Sequence, residues 1–92
     1  MARVLAKFFA TVREATGVRS AEFEVKNIRE LLDILSKTYP KFSETVLKTD
    51  SGELKQFYSC MVNGRRIELL DSYDTVLKDE DAVALFPPVG GG

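Results

Sequence analysis

Between Asn27 and Pro40, Ile28, Leu31, Leu32, Leu35 and Tyr39 recur at helical spacing. The offsets i, i+3, i+4, i+7 and i+11 line one face of an α-helix. Both ends are marked. Asn27 suits an N-cap, and Glu30 is placed to bond back in the manner of a capping box. Pro40 stops the run, because the residue before proline resists helical backbone angles. An amphipathic helix is stable only when its apolar stripe is buried against another layer. The rest of the chain must supply that layer.

It supplies strands. Val4 to Ala10 (VLAKFFA) reads as a strand with Val4, Ala6 and Phe8 on one face and Leu5, Lys7 and Phe9 on the other. "TVREATGV" follows, with a turn at Gly17 and one helical turn before it. Arg19 to Val25 alternates, sending Ala21, Phe23 and Val25 inward and Glu22 and Glu24 to water. Together they predict a hairpin. After the helix, Pro40 opens a second short helix carrying Phe42, Val46 and Leu47, and "KTDSGE" at 48–53 is a polar loop. Phe57 to Val62 reads as a strand, Asn63-Gly64 as a tight hairpin turn, and Arg65 to Leu69 as the return. "DSYDTVLKDED" is a loop with one turn of structure. Ala82 to Phe86 is the last strand, and Pro87-Pro88 ends it by removing two backbone donors. The order β-β-α-(α)-β-β-β predicts an α+β fold, a mixed sheet of about five strands with one main helix on one face.

With 92 residues the chain has room for one domain and not two. Residues 1–88 are read as that domain and 89–92 as a flexible glycine tail. Thirteen basic side chains face fourteen acidic ones, for a formal charge of -1. No basic cluster exceeds Arg65-Arg66, so the footprint of a nucleic-acid binder is missing. No apolar run reaches the length of a membrane span. The start, Met1-Ala2-Arg3-Val4, has no leader-like apolar stretch, which predicts a cytoplasmic protein. There is no histidine, a single cysteine (Cys60) and no phosphate-cradling glycine loop. The expectation is a protein without a metal or cofactor of its own that is not a self-contained enzyme.

The tail, "PPVGGG", needs its own account. Glycine loses more backbone freedom on ordering than any other residue. The run is therefore either a frayed end or bare for a reason. Gly90, Gly91 and Gly92 have no Cβ and fit a narrow channel, reaching about 10 Å when extended. Pro87-Pro88 would aim them away from the sheet. Strand alternation puts Leu5 and Phe9 on the face opposite the helix, and Phe57, Met61 and Phe86 are expected to share it. An apolar patch on an open sheet face marks a binding surface. Phe9, Met61, Phe86, Pro87, Pro88 and Val89 are the candidate partner-binding residues. The competing reading places one or more of the rings in the core or under loops, since a one-residue slip of register exchanges the faces. Cys60 reads as a buried core residue, Asp79-Glu80-Asp81 as a solvated turn, and Arg65-Arg66 as a soluble hairpin tip.

Three stretches, "FFATVREATG", "VNGRRI" and "DAVALFPPVGGG", resemble the small sulfur-carrier subunits of molybdopterin synthase. These are ubiquitin-like β-grasp proteins, related to the sulfur carrier of the thiamine pathway. The resemblance spans essentially the whole chain, and the strand running into Pro-Pro and terminal glycines is its most specific part. It implies that a partner similar to the ubiquitin-activating enzyme uses ATP to adenylate the carboxylate of Gly92. The acyl-adenylate then becomes a thiocarboxylate, which gives its sulfur to a pterin precursor in the large synthase subunit. The implied partners are that large subunit and the adenylating enzyme. The chain departs from the family pattern twice. Glu80 stands where the family has glycine before the last strand, so a different turn is expected there, because a left-handed backbone costs a non-glycine residue roughly 1 kcal/mol. The tail also has three glycines where two are common. Alternative functions are a ubiquitin-like modifier joined through Gly92 to target lysines, the thiamine-pathway carrier, and a β-grasp interaction module with an inert tail.

Overall fold

The first strand, β1 (Ala2–Phe8), buries Ala2, Val4, Ala6 and Phe8 and turns Arg3, Leu5 and Lys7 to the other side. This is the period of two that a sheet covered on one face requires. The computed structural model describes residues 1–88; Val89, Gly90, Gly91 and Gly92, all named as candidates above, lie outside the described residues. β1 ends two residues before the expected Ala10, because Ala10 takes φ 50 and ψ -122 and turns the chain off the sheet. A short helix, α1 (Thr11–Thr16), follows. Gly17 closes it in the left-handed conformation, its N–H bonding the Arg13 carbonyl at 2.7 Å. The chain returns as β2 (Ser20–Val25), antiparallel to β1, with Ala2 opposite Val25 and Lys7 opposite Ser20. The expected pairing forms, with α1 widening its connection.

The main helix, α2 (Ile28–Thr38), starts as its sequence dictates. Asn27 Oδ1 accepts from the Glu30 N–H at 2.9 Å. The Glu30 carboxylate reaches back to the N–H of Lys26, at 2.8 Å, one residue earlier than in the usual box. Ile28, Leu31, Leu32 and Leu35 are buried. Tyr39 ends the helix with an extended backbone, as Pro40 demands, and Pro40 begins α3 (Pro40–Val46). Phe42, Val46 and Leu47 are buried with the stripe of α2, and the Tyr39 ring meets Phe8 edge-on at 6.0 Å.

Three strands complete the sheet: β3 (Ser59–Val62), β4 (Arg65–Arg66) and β5 (Ala82–Phe86). The order across it is β2-β1-β5-β3-β4; β1 and β5 are parallel and the other neighbours antiparallel. Asn63 and Gly64, at φ 51 and 83, make the predicted hairpin turn. Three expectations are corrected. The strand predicted from Phe57 begins only at Ser59, because Phe57 belongs to a turn, with φ 72. The return strand predicted to Leu69 stops at Arg66. There the chain coils into a 3-10 turn, Ile67–Leu69, that buries Ile67 and leaves Leu69 in water. A second such turn, Ser72–Asp74, is the structure expected in the next loop.

The third correction is Glu80, which does not re-route its turn. It takes the left-handed backbone itself, at φ 72. Its N–H bonds the Arg3 carbonyl at 2.9 Å, Asp79 Oδ1 accepts from the Arg3 N–H at 2.9 Å, and Asp81 Oδ2 accepts from the Lys78 N–H at 2.8 Å. These contacts hold the turn against its strain. One face of the sheet carries the helices and the core. Among the described residues no helix lies over the face bearing Leu5, Lys7, Met61, Ala84 and Phe86.

Candidate functional site

Strand register fixes what meets on the open face, since residues opposite one another present side chains to the same side. One row runs Lys7, Ala84, Met61, Arg66, and the next pairs Phe86 with Ser59. β1 has ended by then, but the Phe9 N–H still reaches the Leu85 carbonyl at 3.3 Å. That contact holds Phe9 beside Phe86, and their rings stack with centroids 4.6 Å apart and planes 9° from parallel. The Phe9–Phe86 stack, Phe57 and Met61 border a shallow concavity of about 410 Å³, which Pro87 and Pro88 close where the tail departs.

Of the residues proposed from sequence, Phe9, Met61, Phe86, Pro87 and Pro88 are thus brought together at the tail's root. Phe9 is 40% exposed, Phe86 and Met61 are half-buried, and none of the three belongs to the core. Leu5 faces the same way but pairs with Ala82, toward the other end of the sheet. Sequence reasoning missed Ala10 and Ser59, which also line the concavity.

It also missed the two turns that frame it. The Val12 N–H bonds the Phe9 carbonyl at 3.0 Å, closing a turn with Ala10 first of the two central residues. Its angles are those of a type II′ turn, where glycine is preferred. On the other side, the Tyr58 N–H bonds the Lys55 carbonyl at 3.1 Å, with Phe57 second of the two central residues at φ 72. That slot, too, favours glycine or asparagine. Neither turn has a residue-type signal, because alanine and phenylalanine fill the places that glycine usually marks.

Charge is divided along the open face. Lys7 and Arg66 flank the apolar concavity, Arg66 lying 3.6 Å from Glu68 in a half-exposed pair. Around the other end of β1 a wider hollow of about 770 Å³ is lined by Glu22, Glu24, Asp79 and Glu80 with Arg3. Asp79 and Asp81 accept backbone hydrogen bonds of the strained turn, and Asp81 Oδ1 also accepts from Asn63 Nδ2 at 2.8 Å. The Asp79 and Asp81 carboxylates hold the turn together. Cys60 points the other way, into the core. Burial, aided by Glu68, pushes its thiol up to about 12, so it is no nucleophile at neutral pH. Among the described residues no group of three or more His, Cys, Asp or Glu side chains could hold a metal ion, and no helix is long and apolar enough to cross a membrane.

The arrangement is a rigid apolar platform at the root of a glycine tail. Known proteins resemble the chain in sequence and in fold. The profile of the ThiS family matches residues 6–92. The chain is 36% identical over 87 residues to small archaeal modifier protein 3 of Haloferax volcanii, covering 94% of this chain and 95% of that one. The solution structure of small archaeal modifier protein 1 from Methanosarcina acetivorans superposes with a TM-score of 0.90 at 30% identity, over 100% of this chain and 98% of that one. A Pyrococcus furiosus structure, provisionally assigned as subunit 1 of a molybdopterin converting factor, superposes with a TM-score of 0.77 at 34% identity, over 97% and 100%.

Proposed function

The chain belongs to the ThiS family of ubiquitin-like β-grasp proteins, and from that premise we propose that it is a sulfur carrier working through the carboxylate of Gly92. A carboxylate is a poor electrophile. An adenylating partner would join it to the α-phosphate of ATP with loss of pyrophosphate. Displacement of AMP by hydrosulfide sulfur then leaves a thiocarboxylate. The carrier delivers that sulfur to the pterin precursor in the large subunit of molybdopterin synthase. The carrier itself contributes no catalytic group. It contributes a docking platform and a tail slim enough to enter a partner's active site.

One observation carries this reading: the apolar concavity formed by the Phe9–Phe86 stack and Met61 lies where Pro87 and Pro88 release the tail. A partner that takes the tail must also cover that platform. A second reading is favoured by the similarity to two small archaeal modifier proteins. In it the same acyl-adenylate is passed to a lysine amine of another protein, and Gly92 ends in an isopeptide bond. Both readings share the activation step and differ in its product. The test is the intact mass of the chain from its native cells, with the C-terminal peptide sequenced. An oxygen-to-sulfur exchange at Gly92 supports the carrier. Gly92 branched onto lysines of other proteins, with no thiocarboxylate, supports the modifier.

A further inference from the structure

Phe57 breaks two rules at once. It occupies the left-handed slot of its turn, at φ 72, where a bulky side chain is an outlier. It also leaves its ring 73% exposed. The strain and the exposed apolar surface both count against folding, and the Tyr58 N–H to Lys55 carbonyl bond that closes the turn would form equally with glycine in that slot. Rule-breaking positions without a local gain concentrate at functional sites. Phe57 borders the same concavity as Met61, Phe86 and the prolines.

We propose that Phe57 is the anchor by which the adenylating partner recognises this chain, its ring entering an apolar pocket with an acidic margin on that enzyme. The proposal rests on the reading that Gly92 is the residue activated. Four residues lie beyond Pro88, and fully extended they span at most about 14 Å. An active site that reaches the Gly92 carboxylate therefore lies within that distance of Pro88, and the enzyme around it must cover the concavity. Phe57 is the most exposed ring there, and the turn holds it clear of the sheet. Aromatic side chains, phenylalanine among them, are enriched in interface cores, where fully desolvated pockets carry most of the binding energy. Of the two cations flanking the concavity along the sheet, Arg66 is paired with Glu68, whereas Lys7 has no ion-pair partner among the described residues, so the complementary margin lies beside Lys7 and is acidic.

The test uses the full chain, with Phe57→Gly measured beside Glu80→Gly. Both variants remove left-handed strain, but Glu80 lies at the far end of the sheet from the concavity. Thermal unfolding and ATP–pyrophosphate exchange by the adenylating enzyme of the same cells are followed for each. Both variants are expected to melt a few degrees above the parent. Phe57→Gly should raise the carrier concentration for half-maximal exchange at least tenfold, and Glu80→Gly should leave it unchanged. A more stable Phe57→Gly with unaltered exchange overturns the anchor while the proposed function stands. A Phe57→Gly that melts lower shows that the ring supports the fold, and overturns it too. A folded parent that elicits no exchange removes the activation step, and the anchor falls with it.

Discussion

Replacing Phe86 by aspartate separates a docking ring from a core ring, because the two predict different sizes of damage. Phe86 is half-buried at the end of β5 and stacked on Phe9 at 4.6 Å. Losing the stack costs about 0.5–1.5 kcal/mol. Aspartate in place of an aromatic strand residue costs about 1 kcal/mol more. The new carboxylate stays on the open face and keeps its water. The sum, about 2 kcal/mol, is a fraction of the roughly 5–10 kcal/mol that holds a domain of this size. Phe86→Asp should therefore fold, with a native circular dichroism spectrum and a Tm lower by about 8–16 °C. Binding should suffer more than stability. An aromatic ring at the centre of an interface is worth 2 kcal/mol or more, and a desolvated charge adds to the loss. Exchange of pyrophosphate into ATP by the adenylating enzyme should need about 30-fold more carrier, or more. If Phe86 were core, the buried carboxylate would cost more than about 4 kcal/mol and lower Tm by more than about 16 °C, bringing a domain at the low end of that range to the edge of unfolding. An unfolded variant refutes the placement of the ring, and a folded variant with parental exchange refutes its role.

Other consequences are simpler to check. Glu80→Gly should raise stability by about 0.5–1 kcal/mol, the relief of a left-handed side chain less the freedom glycine adds to the unfolded chain, read as a higher urea midpoint at constant m. Asn27→Ala should lower stability by about 1 kcal/mol, because the Glu30 N–H loses its 2.9 Å acceptor, and Asn27→Asp should restore most of it. Burial pushes the Cys60 thiol up to about 12 from an ordinary 9.0. The folded protein should therefore resist iodoacetamide at pH 8 unless urea is added. Below pH 9 the thiol is neutral in both states and costs nothing. Between about pH 9 and 12 only the unfolded chain ionises, so stability should decline across that window, and Cys60→Ala should flatten the decline.

What could be read from the sequence was local. The stripe of α2 and its cap lie within one stretch of chain, and Asn27, Glu30 and Pro40 act on their own neighbours. The open face was legible because alternation assigns sides to Phe9, Met61 and Phe86 without knowing which strands pair. The return after Asn63-Gly64 was misread for the same reason that it looked convincing. Ile67 and Leu69 alternate as in a strand, which would bury both. Tertiary packing instead winds the segment into a 3-10 turn, so that one is buried and the other exposed. Glu80, Ala10 and Phe57 hold positive-φ positions that no residue type announces. Glu80 is held by a contact distant in sequence, the bond from its N–H to the Arg3 carbonyl, whereas Ala10 and Phe57 sit in turns closed by local bonds.

Under the proposed function, the position of β5 would give the tail a firm root. β5 is flanked by β1 on one side and β3 on the other, and it is hydrogen-bonded to both. A tail leaving an edge strand would inherit the fraying of that edge. A tail leaving this strand starts from a root held on both sides, beneath which Leu85 and Cys60 face each other in the core. Phe86 carries the same rigidity outward by pinning Phe9 in the stack. The apolar concavity and the point where Pro87 and Pro88 leave the sheet are therefore held by the same hydrogen-bonded strands. Under the proposed function, binding energy gained at Phe9, Met61 and Phe86 would also position Pro88. Fixing the backbone of one residue costs on the order of 1–2 kcal/mol. Three of the four residues after Pro88 are glycines and bring no side chain to offset that cost, so the aromatic platform would have to supply it.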